Sequence, residues 1–247
     1  MIFNADERER YARHILLKDI GGPGQQRLKA ATVAIVGAGG LGAPAALYLA
    51  AAGVGRLRLI DDDAVSLSNL QRQIIFRSGD IGAVKVERAA VALAALNPNV
   101  EIEHRRERLS EANAAELLAG ADVVLDGTDD FATRFAVNAA CHMLGVTLIS
   151  GAVGRWDGQV AVFPPAGPCY RCFVPETPPD AETCAQVGIV GALTGVIGSL
   201  MALESIKHIA QAGETLAGRI LLFDGLAATA RTVTLHRDAQ CPVCSHE

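Results

Sequence analysis

The 247-residue sequence lacks the long basic run that a nucleic-acid-binding surface requires. Its 22 Lys and Arg residues are outnumbered by 27 Asp and Glu residues, which gives a formal net charge of -5. Binding to DNA or RNA phosphates therefore has no concentrated positive field to depend on. We expect no nucleic-acid partner.

An apolar leader is also missing from residues 1–30. Acidic and basic side chains alternate there, as in DERERYAR, whereas a secretory signal needs an apolar core. One uncharged stretch, 187–203, approaches the length of a membrane span, but it is short and contains Thr194 and Ser199. We expect a cytoplasmic protein without a membrane partner, in which 187–203 is a buried helix.

Glycines recur within that uncharged stretch. Gly188, Gly191, Gly195 and Gly198 are spaced three, four and three residues apart, which would place all of them on one helical face. Without side chains, this face would let another backbone approach closely. Tight helix packing, as at a subunit interface, is favoured over a direct role in ligand binding.

Repeats, low-complexity tracts and a clear linker are absent, whereas short apolar runs alternate with helical stretches up to about residue 150. This rhythm predicts parallel βαβ units. The predicted strands of this half are 32–36, 56–60, 100–104, 122–126 and 146–150, and helices are predicted at 43–52 and 84–96. Later strands, predicted at 159–163, 219–223 and 231–236, are joined by turns and favour antiparallel pairing. One continuous mixed α/β sheet is expected.

The segment VAIVGAGGLGAP, residues 33–44, joins the first strand to a helix through a glycine-rich turn. Gly37, Gly39 and Gly42 have G-x-G-x-x-G spacing, so backbone N–H groups and the helix dipole would face a phosphate. Asp61 ends the second strand, where a carboxylate can accept hydrogen bonds from ribose hydroxyls. A Rossmann-like nucleotide site is favoured over a turn that only allows close packing.

Polar and cationic side chains follow the acidic cluster at 61–63: Asn69, Arg72 and Gln73, then Lys85. A nicotinamide coenzyme does not need additional cations near its phosphates. Attack on a triphosphate builds negative charge that Arg, Lys and Mg²⁺ can stabilise. Arg72 or Lys85 alone would be read as a solvated surface charge, but their position after the glycine turn favours ATP over NAD.

A second acidic pair, Asp129 and Asp130, follows the fourth predicted strand. A carboxylate at this edge could hold Mg²⁺ against phosphates. Alternatively, Thr128 or Asp129 could cap the helix that begins after the pair. The sequence leaves both interpretations open.

Four of the six cysteines form two C-x-x-C pairs, Cys169 with Cys172 and Cys241 with Cys244. This pattern is typical of a structural zinc site with no open coordination position. Two disulfides are the alternative, disfavoured without an export signal. Cys141 lies in an apolar helical run and is expected in the core. Cys184 precedes the glycine-containing helix and is either a reactive thiol or an inert loop residue.

These motifs in this order resemble the ThiF/MoeB/HesA family of adenylyltransferases, bacterial relatives of ubiquitin-activating enzymes. The resemblance also includes RYARHILL at 10–17 and extends over nearly the whole chain. It implies that a small ubiquitin-like sulfur-carrier protein is activated: its C-terminal Gly-Gly carboxylate attacks the α-phosphate of Mg-ATP and pyrophosphate leaves. The implied cofactors are ATP, Mg²⁺ and Zn²⁺.

The resemblance also assigns roles to residues. Asp61 would bind ribose, Asn69 and Arg72 phosphates, and Lys85 would stabilise charge at the α-phosphate. Asp129 would hold Mg²⁺, the four paired cysteines would hold zinc, and Arg13 would reach the β- and γ-phosphates in the neighbouring subunit of a homodimer. Cys184 matches a position that bonds covalently to the carrier in the thiamin branch. The full set implied to bind nucleotide is Gly37, Gly39, Gly40, Gly42, Asp61, Asp63, Asn69, Arg72, Gln73, Lys85 and Asp129.

Two positions depart from the family pattern. Gly127 stands where Cys is expected, and Asp130 stands where Asn is usual. The second departure leaves open whether Asp130 shares Mg²⁺ with Asp129.

The expected organisation is one adenylation domain, 1–247, with a helical arm at 1–30, a nucleotide-binding half at 31–150 and a carrier-binding and zinc half at 151–247. No sulfurtransferase-like segment follows CPVC, so a separate protein is expected to donate sulfur, in thiamin or molybdopterin biosynthesis. Two alternatives are an NAD-dependent dehydrogenase with structural zinc, and a zinc-stabilised scaffold that binds ubiquitin-like proteins without chemistry.

Overall fold

A computed structural model describes residues 3–178 and 188–245 of the chain. The strands are β1 (Thr32–Val36), β2 (Arg56–Ile60), β3 (Glu101–Arg105), β4 (Val123–Asp126), β5 (Thr147–Gly154), β6 (Asp157–Phe163), β7 (Arg219–Asp224) and β8 (Thr229–Thr234). The helices are α1 (Ala5–Arg10), α2 (Ala12–Ile15), α3 (Gly21–Ala30), α4 (Gly42–Ala52), α5 (Lys85–Leu96), α6 (Ala114–Leu118), α7 (Phe131–Leu144), α8 (Tyr170–Phe173) and α9 (Gly191–Ala210). Two short 3-10 helices span Leu67–Asn69 and Ser78–Asp80.

The eight described strands form one sheet in the order β3-β2-β1-β4-β5-β6-β7-β8. Pairing is parallel from β3 to β5 and antiparallel from β5 to β8. The predicted mixed sheet, parallel in its first half and antiparallel in its second, is confirmed. The last strand was misplaced by two residues, since β8 begins at Thr229 rather than 231.

Helices cover both faces of the parallel half. One apolar core includes Leu49 of α4, Leu93 of α5 and Ile197 of α9. A second core on the opposite side includes Leu118 of α6 and Val137 of α7. Because β1 and β4 are covered on both faces, they consist almost entirely of buried apolar residues, as expected for central parallel strands.

The prediction that four glycines share one helical face is wrong for the first of them. Gly188 has φ +74° and precedes the helix, since a positive φ cannot continue a right-handed helix. Within α9, an added Cβ at Gly198 would lie 2.5 Å from the Leu41 carbonyl oxygen, and one at Gly191 would lie 2.2 Å from that of Gln71. One at Gly195 would have no atom of residues 3–178 or 188–245 within 4 Å. Close approach therefore involves two of the four glycines.

The predicted N-terminal arm contacts the C-terminal end of α5, next to α4, through buried polar groups. Asn97, fully buried, donates from Nδ2 to the Tyr11 hydroxyl at 2.8 Å and to the Ala50 carbonyl at 2.7 Å. Lys29 pairs with the buried Glu7 at 2.6 Å. Among the described helices, none is both long and apolar enough to cross a bilayer.

Candidate active site

A cavity of about 620 Å³ opens at the carboxyl ends of β1, β2 and β4. In the strand order, β2 lies on one side of β1 and β4 on the other, so the loops that follow β1 and β4 separate there and leave a crevice. Ten residues predicted to bind nucleotide line it, whereas Gly42 does not: Gly37, Gly39, Gly40, Asp61, Asp63, Asn69, Arg72, Gln73, Lys85 and Asp129.

The glycine turn after β1 is held in a shape that only small residues allow. Gly37 has φ +88°, and an added Cβ at Gly42 would lie 1.9 Å from the Gly37 carbonyl oxygen. An added Cβ at Gly39 would meet only the Gln73 Nε2 atom, at 3.6 Å. Gly42 therefore shapes the turn from behind, while Gly39 lies on the cavity wall.

Asp61 connects the glycine turn to the acidic cluster 61–63. Its carboxylate accepts the Ala38 N–H at 2.8 Å and the Asp63 N–H at 2.9 Å. Burial raises the pKa of Asp61, while Lys85 and these two backbone N–H groups oppose the increase. The side chain is thus fixed beside the turn, with its remaining lone pairs available to a ligand hydroxyl.

Lys85 begins α5 and carries a buried ammonium group. Its side chain is 6% exposed, and Nζ lies 2.7 Å from Oδ2 of Asp63, which is 65% exposed. The Lys85 backbone N–H also donates to the Asp63 carbonyl at 3.0 Å. Asp63 therefore holds the cation at the cavity wall from its solvent side.

The segment around the first 3-10 helix contributes Asn69, Arg72 and Gln73 to the cavity wall. Asn69 accepts the Arg72 and Gln73 N–H groups at 3.0 and 2.9 Å through its carbonyl, and Arg72 donates to the Ser68 carbonyl at 3.1 Å. The Arg72 side chain passes the glycine turn, with Cδ 3.4 Å from the position of a Cβ on Gly40. Gln73 is buried, and its Oε1 has no hydrogen-bond partner within the described residues, which leaves a buried polar atom for a ligand to pair.

The two carboxylates that follow β4, Asp129 and Asp130, differ in their contacts. Asp130 caps α7 by accepting the Thr133 N–H at 2.8 Å, so the alternative that Thr128 or Asp129 forms this cap is wrong. Thr128 instead donates its hydroxyl to Asp126 at 2.6 Å. Asp129 is exposed, lines the cavity and accepts no hydrogen bond from any described residue. Its carboxylate is the kind of oxygen donor that Mg²⁺ prefers, and it fits that ion.

The departure at Gly127 has a steric reason. An added Cβ there would lie 3.1 Å from Leu41 Cβ and 3.2 Å from the Gly42 nitrogen. A cysteine at this position would therefore need its neighbours in the glycine turn to shift by a few tenths of an ångström.

The other two predicted catalytic residues are Arg13 and Cys184. Arg13 lies on α2, is exposed and does not line the cavity of its own chain. Cys184 lies outside the described residues.

Sequence reasoning missed cavity residues that depend on distant contacts. Thr194 of α9 approaches the glycine turn, with Cγ2 3.1 Å from the position of a Cβ on Gly40. Arg134 and Tyr170 also line the cavity. The available signal for Arg134 was its charge within an otherwise apolar run of α7, FATRFAV.

The paired cysteines converge between the segments after β6 and β8, with all four Sγ atoms within 4.8 Å of one another. Cys169 Sγ lies 3.5 Å from Cys241 Sγ, and Cys172 Sγ lies 3.3 Å from Cys244 Sγ; all four are free thiols. Burial opposes ionisation, but backbone N–H groups of Cys244 and Val243 lower the pKa of Cys241 to about 7. This donor set fits tetrahedral Zn²⁺.

Cys141 is buried in the second core, as predicted. Burial raises the pKa of its thiol, and nearby Asp126 adds to the increase.

Comparison with known proteins gives consistent matches over the whole chain. The family model described as ThiF family matches residues 11–243. The sulfur carrier protein adenylyltransferase of Thermus thermophilus is 45% identical over 100% of this chain and 94% of its own length. The SAMP-activating enzyme E1 of Haloferax volcanii is 44% identical over 98% of this chain and 90% of its own length.

A longer relative matches one part of its length. The adenylyltransferase and sulfurtransferase MOCS3 of Anopheles gambiae is 47% identical, and the match covers 98% of this chain but 56% of that protein. Among solved structures, E. coli MccB superposes with a TM-score of 0.85 at 22% identity, over 97% of this chain and 73% of that one. That likeness supports the fold.

Proposed function

This chain belongs to the ThiF family, and we propose that it transfers an adenylyl group from ATP to the C-terminal Gly-Gly carboxylate of a small ubiquitin-like sulfur-carrier protein. The chain is an adenylyltransferase, as are relatives matched over nearly their whole length. In this reaction a carboxylate oxygen bonds to the α-phosphorus, the bond from that phosphorus to the bridging oxygen breaks, and pyrophosphate leaves with the electron pair.

The observation that carries the proposal is the placement of two cations beside the glycine turn. Lys85 is buried at the cavity wall and Arg72 passes Gly40, where both can oppose negative charge that grows on the phosphates. Asp129 lines the same cavity with an uncommitted carboxylate. Hydride transfer to a nicotinamide gives these groups no task, which disfavours the dehydrogenase alternative.

The remaining roles follow from each side chain's position. Backbone N–H groups of Gly39 and Gly40 cradle phosphates at the start of α4. The Gly37 N–H instead donates to the Ile60 carbonyl at 2.9 Å, so Gly37 and Gly42 shape the turn. Asp61 accepts from ribose hydroxyls, Asn69 and Gln73 bind the nucleotide from the segment that lies beside the glycine turn, and Asp63 holds Lys85. Asp129 holds Mg²⁺, which supplies charge neutralisation at the phosphates when bound.

A surface depression beside the cavity suits the carrier's tail. This depression, of about 840 Å³, lies on the antiparallel half of the sheet and shares Ala152, Val153 and Gln159 with the cavity wall. An extended tail of two glycines, which has no side chains, can pass this shared wall and bring its carboxylate to the α-phosphate.

The organisation proposed for the chain is a single adenylation domain, 1–247. Residues 1–30 form a helical arm, 31–150 the nucleotide-binding half and 151–247 the half that binds the carrier and zinc. Zn²⁺ held by the four paired cysteines supplies no reaction step; it joins the chain after β8 to the segment after β6.

A homodimer accounts for the position of Arg13. Its side chain is exposed and does not line the cavity of its own subunit, so we assign it to the β- and γ-phosphates in the neighbouring subunit. Next to it, Leu16 is 73% and Leu17 51% exposed, and covering these apolar side chains favours a second copy.

The carrier is ThiS-like or MoaD-like, and we propose thiamin or molybdenum-cofactor biosynthesis as the setting. A separate protein is proposed to donate the sulfur. The Cys184 thiolate is then proposed to attack the carbonyl carbon of the carrier's acyl-adenylate; a thioester forms, the bond from that carbon to the phosphate oxygen breaks, and AMP leaves with the electron pair.

The test is carrier-dependent exchange of labelled pyrophosphate into ATP. ThiS-like and MoaD-like carriers that end in Gly-Gly are expected to start exchange, and a carrier without its last two residues is expected not to. Exchange that ignores the carrier's tail would refute the proposal. Tight binding of NAD with no binding of ATP would support the dehydrogenase, and carrier binding without exchange would support the scaffold alternative.

A further inference from the structure

Arg134 is a buried cation that no role described so far requires. Its side chain is 7% exposed, lies on α7 one turn after the Asp130 cap, and reaches the wall of the cavity. Burying a guanidinium group is costly unless its donors are paired. The groups that pair with it therefore indicate what it does.

These partners lie in the turn after β4 and in the neighbouring strand β5. Arg134 Nη2 donates to the Thr128 carbonyl, in the turn immediately before Asp129, and to the Gly151 carbonyl of β5 at 2.9 Å. Nη1 donates to the Ser150 hydroxyl at 3.2 Å. One planar group thus fixes the loop after β4 to the neighbouring strand.

Charge and packing hold the guanidinium in this position. Asp126, fully buried, places Oδ2 3.9 Å from Nη1, and the Tyr170 ring centroid lies 5.9 Å from the guanidinium carbon. Burial lowers the pKa of Arg134, but Asp126, Tyr170 and Asp129 together raise it. Asp129 therefore lies close enough to interact with the guanidinium electrostatically.

Asp126, which faces the guanidinium, also binds the Thr128–Asp129 turn directly. Oδ1 of Asp126 accepts the Thr128 backbone N–H at 3.0 Å and the Thr128 hydroxyl at 2.6 Å. Asp129 itself accepts no hydrogen bond from a described residue, so its direction depends on the backbone on both sides of it. Asp130 fixes the following side as the cap of α7, and the Thr128 contacts fix the preceding side. Loss of the Arg134 link would free the carbonyl side of that backbone.

We infer that Arg134 is a positioning residue, which holds the Thr128–Asp129 turn so that the Asp129 carboxylate faces the metal carried by the nucleotide. The inference rests on the proposed function. Lysine at this position keeps a positive charge for Asp126, but its single ammonium on a flexible stem cannot form the same planar bridge between the Thr128 and Gly151 carbonyls.

The test measures ATP binding by calorimetry at a series of Mg²⁺ concentrations. Arg134→Lys is expected to raise the half-saturating Mg²⁺ concentration about tenfold, the usual effect of losing a residue that orients a metal ligand. Arg58→Lys is the matched control: Arg58 also donates to two carbonyls, those of Leu117 and Ala119, and to a carboxylate, that of Glu103, but it does not line the cavity. It is expected to lose stability without a shift in Mg²⁺ dependence.

A second background separates positioning from direct contact with the nucleotide. In Asp129→Asn, adding Arg134→Lys is expected to cause no further shift in Mg²⁺ dependence, because the group it positions is gone. A full additional shift there, or an unchanged Mg²⁺ dependence in Arg134→Lys alone, would overturn the inference.

Thr128→Val provides a milder variant if Arg134→Lys does not fold. It removes the Thr128 hydroxyl bond to Asp126 and leaves Arg134 in place, and we expect roughly a threefold rise in the half-saturating Mg²⁺ concentration. No rise would count against the positioning role. Wild-type protein that binds no ATP at any Mg²⁺ concentration would instead refute the proposed function, so the two failures are distinct.

Discussion

Alanine at Gly42 or at Gly39 separates the two tasks of the glycine turn. At Gly42 the new Cβ would lie 1.9 Å from the Gly37 carbonyl oxygen, whereas real Cβ atoms do not come closer than 3.0 Å to such a neighbour. The obstacle is backbone, which cannot rotate away as a side chain can. Overpacking costs about 1–3 kcal/mol, and we expect the upper end, about 3 kcal/mol, which corresponds to a Tm roughly 6–12 °C lower for a chain of this size.

At Gly39 the new Cβ would be 3.6 Å from Gln73 Nε2, an ordinary contact. We expect Gly39→Ala to melt within about 2 °C of wild type but to bind ATP at least about tenfold more weakly, since its methyl group lies on the cavity wall. Differential scanning calorimetry and ATP titration measure the two effects. Wild-type stability in Gly42→Ala, or wild-type ATP affinity in Gly39→Ala, would refute this account of the turn.

Three further predictions concern chemistry, metal and stability. Lys85→Ala and Arg72→Ala are expected to lower carrier-dependent pyrophosphate exchange roughly 10²- to 10³-fold with the circular dichroism spectrum unchanged, and near-normal exchange in either would exclude it from the charge-stabilising role. Removing zinc from the four paired cysteines with a chelator is expected to unfold the protein rather than only inhibit it; an unchanged Tm after verified metal removal would contradict that. Asn97→Ala leaves the Tyr11 hydroxyl and the Ala50 carbonyl without their buried donor, so we expect a loss of about 2 kcal/mol and a Tm roughly 4–8 °C lower. Exposed Asn99→Ala is the control, and an equal effect in both would show that burial is not the cause.

The parallel half of the fold could be predicted because its signals are local. Apolar runs at 32–36 and 122–126 mark strands covered on both faces, and each is followed by a turn and a helix. The sequence was less decisive about the start of α7, because several adjacent residues could each cap that helix. Thr128, Asp129 and Asp130 are all good helix-capping residue types, and backbone geometry selects Asp130.

Contacts between segments far apart in the sequence could not be predicted. Arg134 is recognisable as a charge within an apolar helix, but its bonds to Ser150 and Gly151 depend on how β5 lies beside β4. The glycines of α9 show the same limit. Spacing of three and four residues made four positions look equivalent, yet within the described part of the chain only Gly191 and Gly198 meet another backbone.

The central claim is that the cations beside the glycine turn serve adenylyl transfer from ATP. Intact-mass spectrometry of a ubiquitin-like carrier, incubated with the protein, Mg²⁺ and ATP, tests it most directly. We predict a carrier species heavier by one adenylyl group, dependent on the terminal Gly-Gly and lost in Lys85→Ala. A carrier of unchanged mass with wild-type protein, under conditions where ATP is bound, would contradict the claim.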